Sequence, residues 1–154
     1  QTLYAPEFRG VLMDYTEICF ILSEAARRGL SVGGTTEQHY INGITSSMTE
    51  WGVSAADLAT YLASDKVVFA TAPGTDKEKI ANQFWISMYN RGFEGWTVYR
   101  IFDSPVLQNS GTLDLPVLKR YTYPQSEATI NGANVDAANG GVDTQQSLVF
   151  WDLQ

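Results

Sequence analysis

Apolar residues along the first hundred positions recur at intervals of three and four. Val11, Tyr15, Ile18, Leu22 and Ala25 form one stripe, widened by Leu12, Cys19 and Ala26, while Glu17, Glu24 and Arg28 fall opposite it. This pattern predicts an amphipathic helix over 11–29, ended by Gly29 in the left-handed conformation that follows a last helical turn. After the short link LSVGG, Thr35 and Gln38 are spaced as a capping box. Tyr40, Ile44, Ser47 or Met48, and Trp51 then continue a second stripe up to Gly52. Two helices joined by so short a link must pack antiparallel, as an αα-hairpin. Their length and small-residue seam (Ala25, Ala26, Gly29, Gly43) resemble one tetratricopeptide-type unit, although no second copy at that period follows.

Ser54 with Asp57 opens a short third helix through about Leu62, and Thr75 with Glu78 opens a fourth over 76–91. In the fourth, Ile80, Ala81, Phe84, Trp85 and Met88 make the apolar face, with Gln83 and Asn90 on the polar one. Past Gly92, EGWTVYRIF supplies a further turn or two. Beyond Asp103 the texture changes: Pro105, Pro116 and Pro124, with Gly111, Gly132, Gly140 and Gly141, punctuate short pieces. VLKRYTYP reads as extended, PQSEATINGAN as one short helix, and SLVFWD as a terminal strand or docked tail. The expected fold is all-α, helix hairpins with a loop-rich C-terminal cap and little β-structure. It is one domain over 1–154, with a helical body at 8–103 and a cap at 104–154.

Composition narrows the function. At 154 residues, 44% hydrophobic and 18% charged, the chain has material for a real core and is not of the disordered type. Its net charge is −7 and its densest basic spot is Arg27-Arg28, which argues against nucleic-acid binding and against a polybasic membrane surface. A single cysteine, Cys19 in ICFIL, supports neither a disulfide framework nor a zinc site and reads as a buried thiol. No window reaches the ~18 apolar residues of a membrane span. The chain begins QTLYAPEFRG, without an initiating Met or a charged-then-apolar leader, and is expected to be a mature product or an internal fragment.

Candidate chemistry is sparse. The one histidine, His39, has no nucleophile or companion ligand in its sequence context and reads as a partly exposed helix residue. NVDAANGGVD offers Asp136, Asn139 and Asp143, but lacks the alternating oxygens and terminal Glu of a calcium loop. Glu94 and Glu127 are the acids a glycosidase pair would draw on. Their plainer role is to pair with Arg100 or Arg120 and hold the cap. Trp51, Trp85 and Trp96 fall on apolar faces and read as core, while an exposed aromatic could stack on a pyranose ring.

Several motifs together resemble the C-terminal part of the SusD/RagB-like outer-membrane nutrient-binding lipoproteins of gut Bacteroidetes. They are LMDYTEICFILSEAARRG (12–29), HYINGITSSMTEWGV (39–53) and KIANQFWISMYNRGFEGWTVYRI (79–101), followed by RYTYPQSE, Asn131, Asn134 and FWD. The resemblance runs from about residue 4 to the end. It implies an all-α body of tetratricopeptide-like helix pairs with an elaborated loop region, and neither enzymatic activity nor a cofactor. Such proteins sit on the cell surface through a lipidated N-terminal cysteine and cap a SusC-like TonB-dependent transporter. They capture oligosaccharides, or in some members peptides, for import. Family members are several times longer, so the chain is expected to be a C-terminal portion with its lipid anchor upstream; Cys19 lies mid-helix and cannot be that anchor. One departure stands out: many members carry an Arg-Arg-Thr run where Arg100 is followed here by Ile101-Phe102-Asp103. The resemblance assigns no catalytic, cofactor, metal or ligand-binding residue in this stretch. GFEGWTVYR (92–100) is accordingly expected to be structural, with Trp96 packed inward. A helical scaffold that contacts the transporter without a ligand site is the alternative function, and a glycosidase using Glu94 or Glu127 the third.

Overall fold

The structure, a computed structural model, describes residues 6–7, 10–109, 111 and 115–152. These hold seven helices and no strand: α1 (Tyr15–Arg27), α2 (Thr36–Glu50), α3 (Ala55–Leu62), α4 (Asp76–Ser87), α5 (Gly92–Phe102), α6 (Gln125–Ile130) and α7 (Gly132–Asn139). The protein is all-α, as its periodicity predicts. The chain divides into two compact units, Gln1–Pro105 and Val106–Gln154.

In the first unit α1 and α2 form the antiparallel hairpin. The Thr16 hydroxyl near the start of α1 donates to Ser46 Oγ near the end of α2 (2.9 Å), and Ser23 near the end of α1 donates to the Thr36 carbonyl at the start of α2 (2.8 Å). Both helices close with the same double bond pattern. Gly29 and Gly52 take positive φ, and the next residues, Leu30 and Val53, return their N–H groups to Ala25 and Met48. The capping boxes at Thr35/Gln38 and Thr75/Glu78 are both formed.

α1 differs from its sequence reading in two ways. It starts at Tyr15, not near Val11, because the Asp14 carboxylate caps it by accepting the Glu17 N–H at 2.8 Å. Its buried face is also rotated from the expected stripe, comprising Thr16, Cys19, Phe20, Ser23 and Glu24. Tyr15, expected inside, is 64% exposed, and Ile18 and Ile21 are exposed too. The helix has two apolar faces, and α2 and α4 take the one centred on Phe20. α4 ends at Ser87, earlier than expected, since Asn90 adopts a positive φ and turns the chain.

The core gathers Phe20, Tyr40, Ile44, Val67, Ile80, Phe84, Val98 and Phe102. Phe20 stacks on Phe84 (centroids 5.3 Å, 18°) and meets Tyr40 edge-on at 6.4 Å. The Tyr40 hydroxyl donates to the Val67 carbonyl at 2.9 Å. Gly43 lets α2 lie against the Phe20 ring, because a Cβ there would come within 2.8 Å of it. Trp96 lies outside this core: it is half-buried, with the Arg100 guanidinium 4.5 Å from its ring centre. His39 is buried rather than partly exposed, its Nε2 lying where a side chain at Gly34 would clash.

Glu24, expected on the polar side, is buried and held by both arginines: Arg27 donates at 2.6 and 2.7 Å and Arg28 at 2.7 Å. Burial pushes this carboxyl up, but the hydrogen bonds from Arg27 and Arg28 outweigh it, so the net shift is downward. A lowered carboxyl stabilises the fold above its unfolded value, about 4.3, and that contribution is lost as pH falls through the lowered folded value. Urea unfolding at about pH 6 and about pH 3 should therefore show a smaller acid loss of stability in Glu24→Gln than in the wild type. Equal losses would mean that Glu24 does not contribute.

In the second unit α6 lies in the stretch PQSEATINGAN expected to hold one short helix, α7 begins in that stretch and runs past it to Asn139, and VLKRYTYP and SLVFWD form no strand. Arg120 organises this unit. It donates to Asp143 Oδ1 at 2.8 Å and to the Tyr121 carbonyl at 2.8 Å, and lies 4.7 Å from the Tyr123 ring centre. The Tyr123 N–H donates to the other oxygen of Asp143 at 2.7 Å. Asp143 therefore takes the role expected of Glu127, which is exposed and accepts only a long bond from Asn131 (3.4 Å) among the described contacts.

Candidate functional site

The first unit carries a cleft of about 410 Å³ where three segments meet: the residues before α1, the end of α2, and the turn from α4 into α5. That volume falls in the range of small-molecule sites. Local chemistry sets each wall. The closing turn of α2 leaves Trp51 as the residue between the helix and Gly52, where it no longer lies on the buried stripe. Tyr89 and Asn90 follow the end of α4, and the positive φ of Asn90 reverses the chain so that Gly92 can start α5 with Phe93 and Glu94 in its first turn.

Aromatic rings dominate the rim. Trp51 and Tyr89 meet edge to face at 5.2 Å and 73°. Trp51 is 41% exposed, Tyr89 63% and Phe93 72%. Three large rings left open around one concavity are the unusual feature, since rings of this size are normally buried. Polar groups are set among them: Glu50, Asn90 and Glu94 also line the cleft.

Arg91 secures the floor. Its guanidinium donates to Glu17 Oε2 at 2.7 Å, to Asp14 Oδ2 at 3.3 Å and to the Leu12 carbonyl at 3.4 Å. The α4–α5 turn is thereby tied to the start of α1, and the Asp14 carboxylate is shared between the helix cap and the arginine. An arginine bound to several acceptors holds its neighbours in fixed geometry.

Open rings can stack on the apolar face of a sugar, and carboxylate or amide groups can accept or donate to its hydroxyls. Of the sequence candidates, Glu94 and Trp51 line the cleft. Trp85 flanks the core and Trp96 is engaged by Arg100. Glu127, Asp136, Asn139 and Asp143 belong to the second unit, where Asp143 is bound to Arg120 and Asn139 Oδ1 accepts from the Gly141 N–H. Tyr89, Arg91 and Phe93 individually carry no site signal in the sequence, and Asn90 reads there only as a polar position of the fourth helix. The available signal was the tetrad Asn90-Arg91-Gly92-Phe93, a turn composition between two helical patterns with aromatics on both sides.

Comparison with known proteins matches residues 2–124 to the SusD-like family described as "Starch-binding associating with outer membrane". Solved structures resemble the chain over nearly its whole length. A SusD-like protein from Bacteroidetes AC2a is 27% identical, with 94% of this chain and 31% of that chain covered and a TM-score of 0.77. A chitin-binding SusD homolog from Flavobacterium johnsoniae is 27% identical (93% and 36% covered, TM-score 0.74). A SusD homolog from Bacteroides ovatus is 26% identical (94% and 38% covered, TM-score 0.75). The chain thus spans between 31% and 38% of the length of these solved relatives. No curated protein matches it.

Proposed function

Because the chain belongs to the SusD-like family, we propose that it serves the non-catalytic capture of oligosaccharides at the outer membrane surface, for import through a SusC-like TonB-dependent transporter. The observation that carries this reading is the cleft rim, with Trp51, Tyr89 and Phe93 open to solvent beside Glu50, Asn90 and Glu94. Rings supply the apolar contact and the polar groups fix orientation, the division of labour expected of a small-ligand site. The chitin-binding relative and the family's starch-binding description favour a sugar over other nutrients. No described helix is long and apolar enough to cross a membrane, and in this reading attachment is through a lipid anchor outside the chain.

Titration of tryptophan emission with maltohexaose and chitohexaose tests the proposal. At least one should give a saturable change, and Trp51→Ala should weaken that ligand about tenfold, the equivalent of about 1.4 kcal/mol. Absence of any response to either sugar would remove the cleft as a glycan site. The helical-scaffold alternative would then take precedence; it has its own support in the open apolar face of α1, formed by Tyr15, Ile18 and Ile21.

A further inference from the structure

We propose that a second groove, of about 400 Å³, between α3, the turn after it and α4, is a separate site for a sugar ring bearing a carboxylate, a uronate. It shares no lining residue with the cleft, and it stands independently of the cleft's assignment.

Charge is the first argument. The chain has 17 acidic and 10 basic residues, yet the groove is lined by Lys66 and by no acid among the described residues. Lys66 makes no ion pair with any described residue, and its ammonium is the one charge among the groove's lining residues.

Hydrogen-bond direction is the second. The Tyr61 hydroxyl donates to Gln83 Oε1 at 3.0 Å, and the Ser104 hydroxyl donates to Asn82 Oδ1 at 3.3 Å. Both amides of the groove therefore have their acceptor ends engaged by the protein. What remains on each is an NH₂ group, which only donates and which has no partner among the described residues. Gln83 is nearly buried at 9% exposure, so its orientation is fixed before any ligand arrives. Two amide donors and one ammonium match a ligand rich in acceptors, and hydrogen bonds to an ionised acceptor are the stronger kind. The third argument is shape. Trp85, held against the core, and Pro105 give the groove apolar surface of the kind a pyranose ring covers.

Trigalacturonate is the probe, with maltotriose as its neutral counterpart. In ¹⁵N-resolved spectra trigalacturonate should shift the Asn82 and Gln83 side-chain NH₂ signals saturably, and maltotriose should not. Lys66→Gln should weaken trigalacturonate about tenfold, and Asn82→Asp, which replaces a donor by a like charge, should weaken it further. Trp51→Ala should leave it unchanged, which separates this site from the cleft. The proposal is overturned by absence of a saturable shift, by an equal response to maltotriose, or by insensitivity to both Lys66→Gln and Asn82→Asp.

Discussion

Replacing Phe20 by alanine is expected to destabilise the helical unit by about 3–5 kcal/mol, the range for removing a large ring from a packed core. Phe20 is completely buried, and its surroundings leave no route to collapse. One face is stacked on Phe84, the Tyr40 ring meets it nearly at right angles with centroids 6.4 Å apart, and the α2 backbone at Gly43 lies directly against the ring. Tyr40 cannot follow the ring inward without giving up its bond to the Val67 carbonyl. A domain's whole stability is about 5–15 kcal/mol, so this one change should bring the unit close to its limit. Urea unfolding followed by far-UV circular dichroism measures it. A loss below about 1 kcal/mol would mean that Phe20 is not the keystone of the α1–α2–α4 contact.

Arg91→Ala is expected to cost about 2–3 kcal/mol. Removing one partner of a fully buried pair costs about 3–5 kcal/mol, and the figure is reduced here because water reaches the carboxylates. The Arg91 side chain is 11% exposed, against 17% for Glu17 and 33% for Asp14. Without the guanidinium two negative charges face each other at the start of α1, and the α4–α5 turn loses its anchor. Ligand binding in the cleft should fall together with the unfolding midpoint. Trp51→Ala should separate the two, lowering affinity while leaving the midpoint nearly unchanged, since Trp51 is not part of the core. Thermal unfolding and sugar titration of both variants check this; a stable Arg91→Ala that binds normally would show the ion pairs to be incidental.

How much of this was legible beforehand depended on the range of the interactions involved. Capping pairs such as Thr35/Gln38 and Thr75/Glu78 are local, and they marked helix starts that the structure contains. Stripes with one apolar face were also readable, as in Tyr40 and Ile44 or Ile80, Phe84 and Met88. α1 misled because Tyr15, Ile18 and Leu22 satisfy helical spacing as well as Cys19 and Phe20 do; only the partner helices decide which face is covered. Gln83 and Glu24 look like surface residues by type, and their burial depends on Tyr61 and on two arginines that satisfy them. The cleft was the least legible feature. Trp51 falls on an apolar stripe by count, but the helix ends before that position can be buried. Tyr89 and Phe93 lie on a turn, where periodicity gives no information.

The ion pairs of Arg91 join positions 74 and 77 residues apart, whereas the hydroxyl contact between Thr16 and Ser46 spans 30. Closing a longer loop costs more chain entropy before any contact repays it, and distant contacts slow folding. The hairpin of α1 and α2 can thus assemble from its own sequence, while the cleft exists only once α4 and α5 have docked. A ligand seated there recognises the finished unit and no earlier state. Its binding favours the native side of the folding equilibrium alone, so the occupied protein gains resistance to unfolding with the logarithm of the ligand concentration above its Kd.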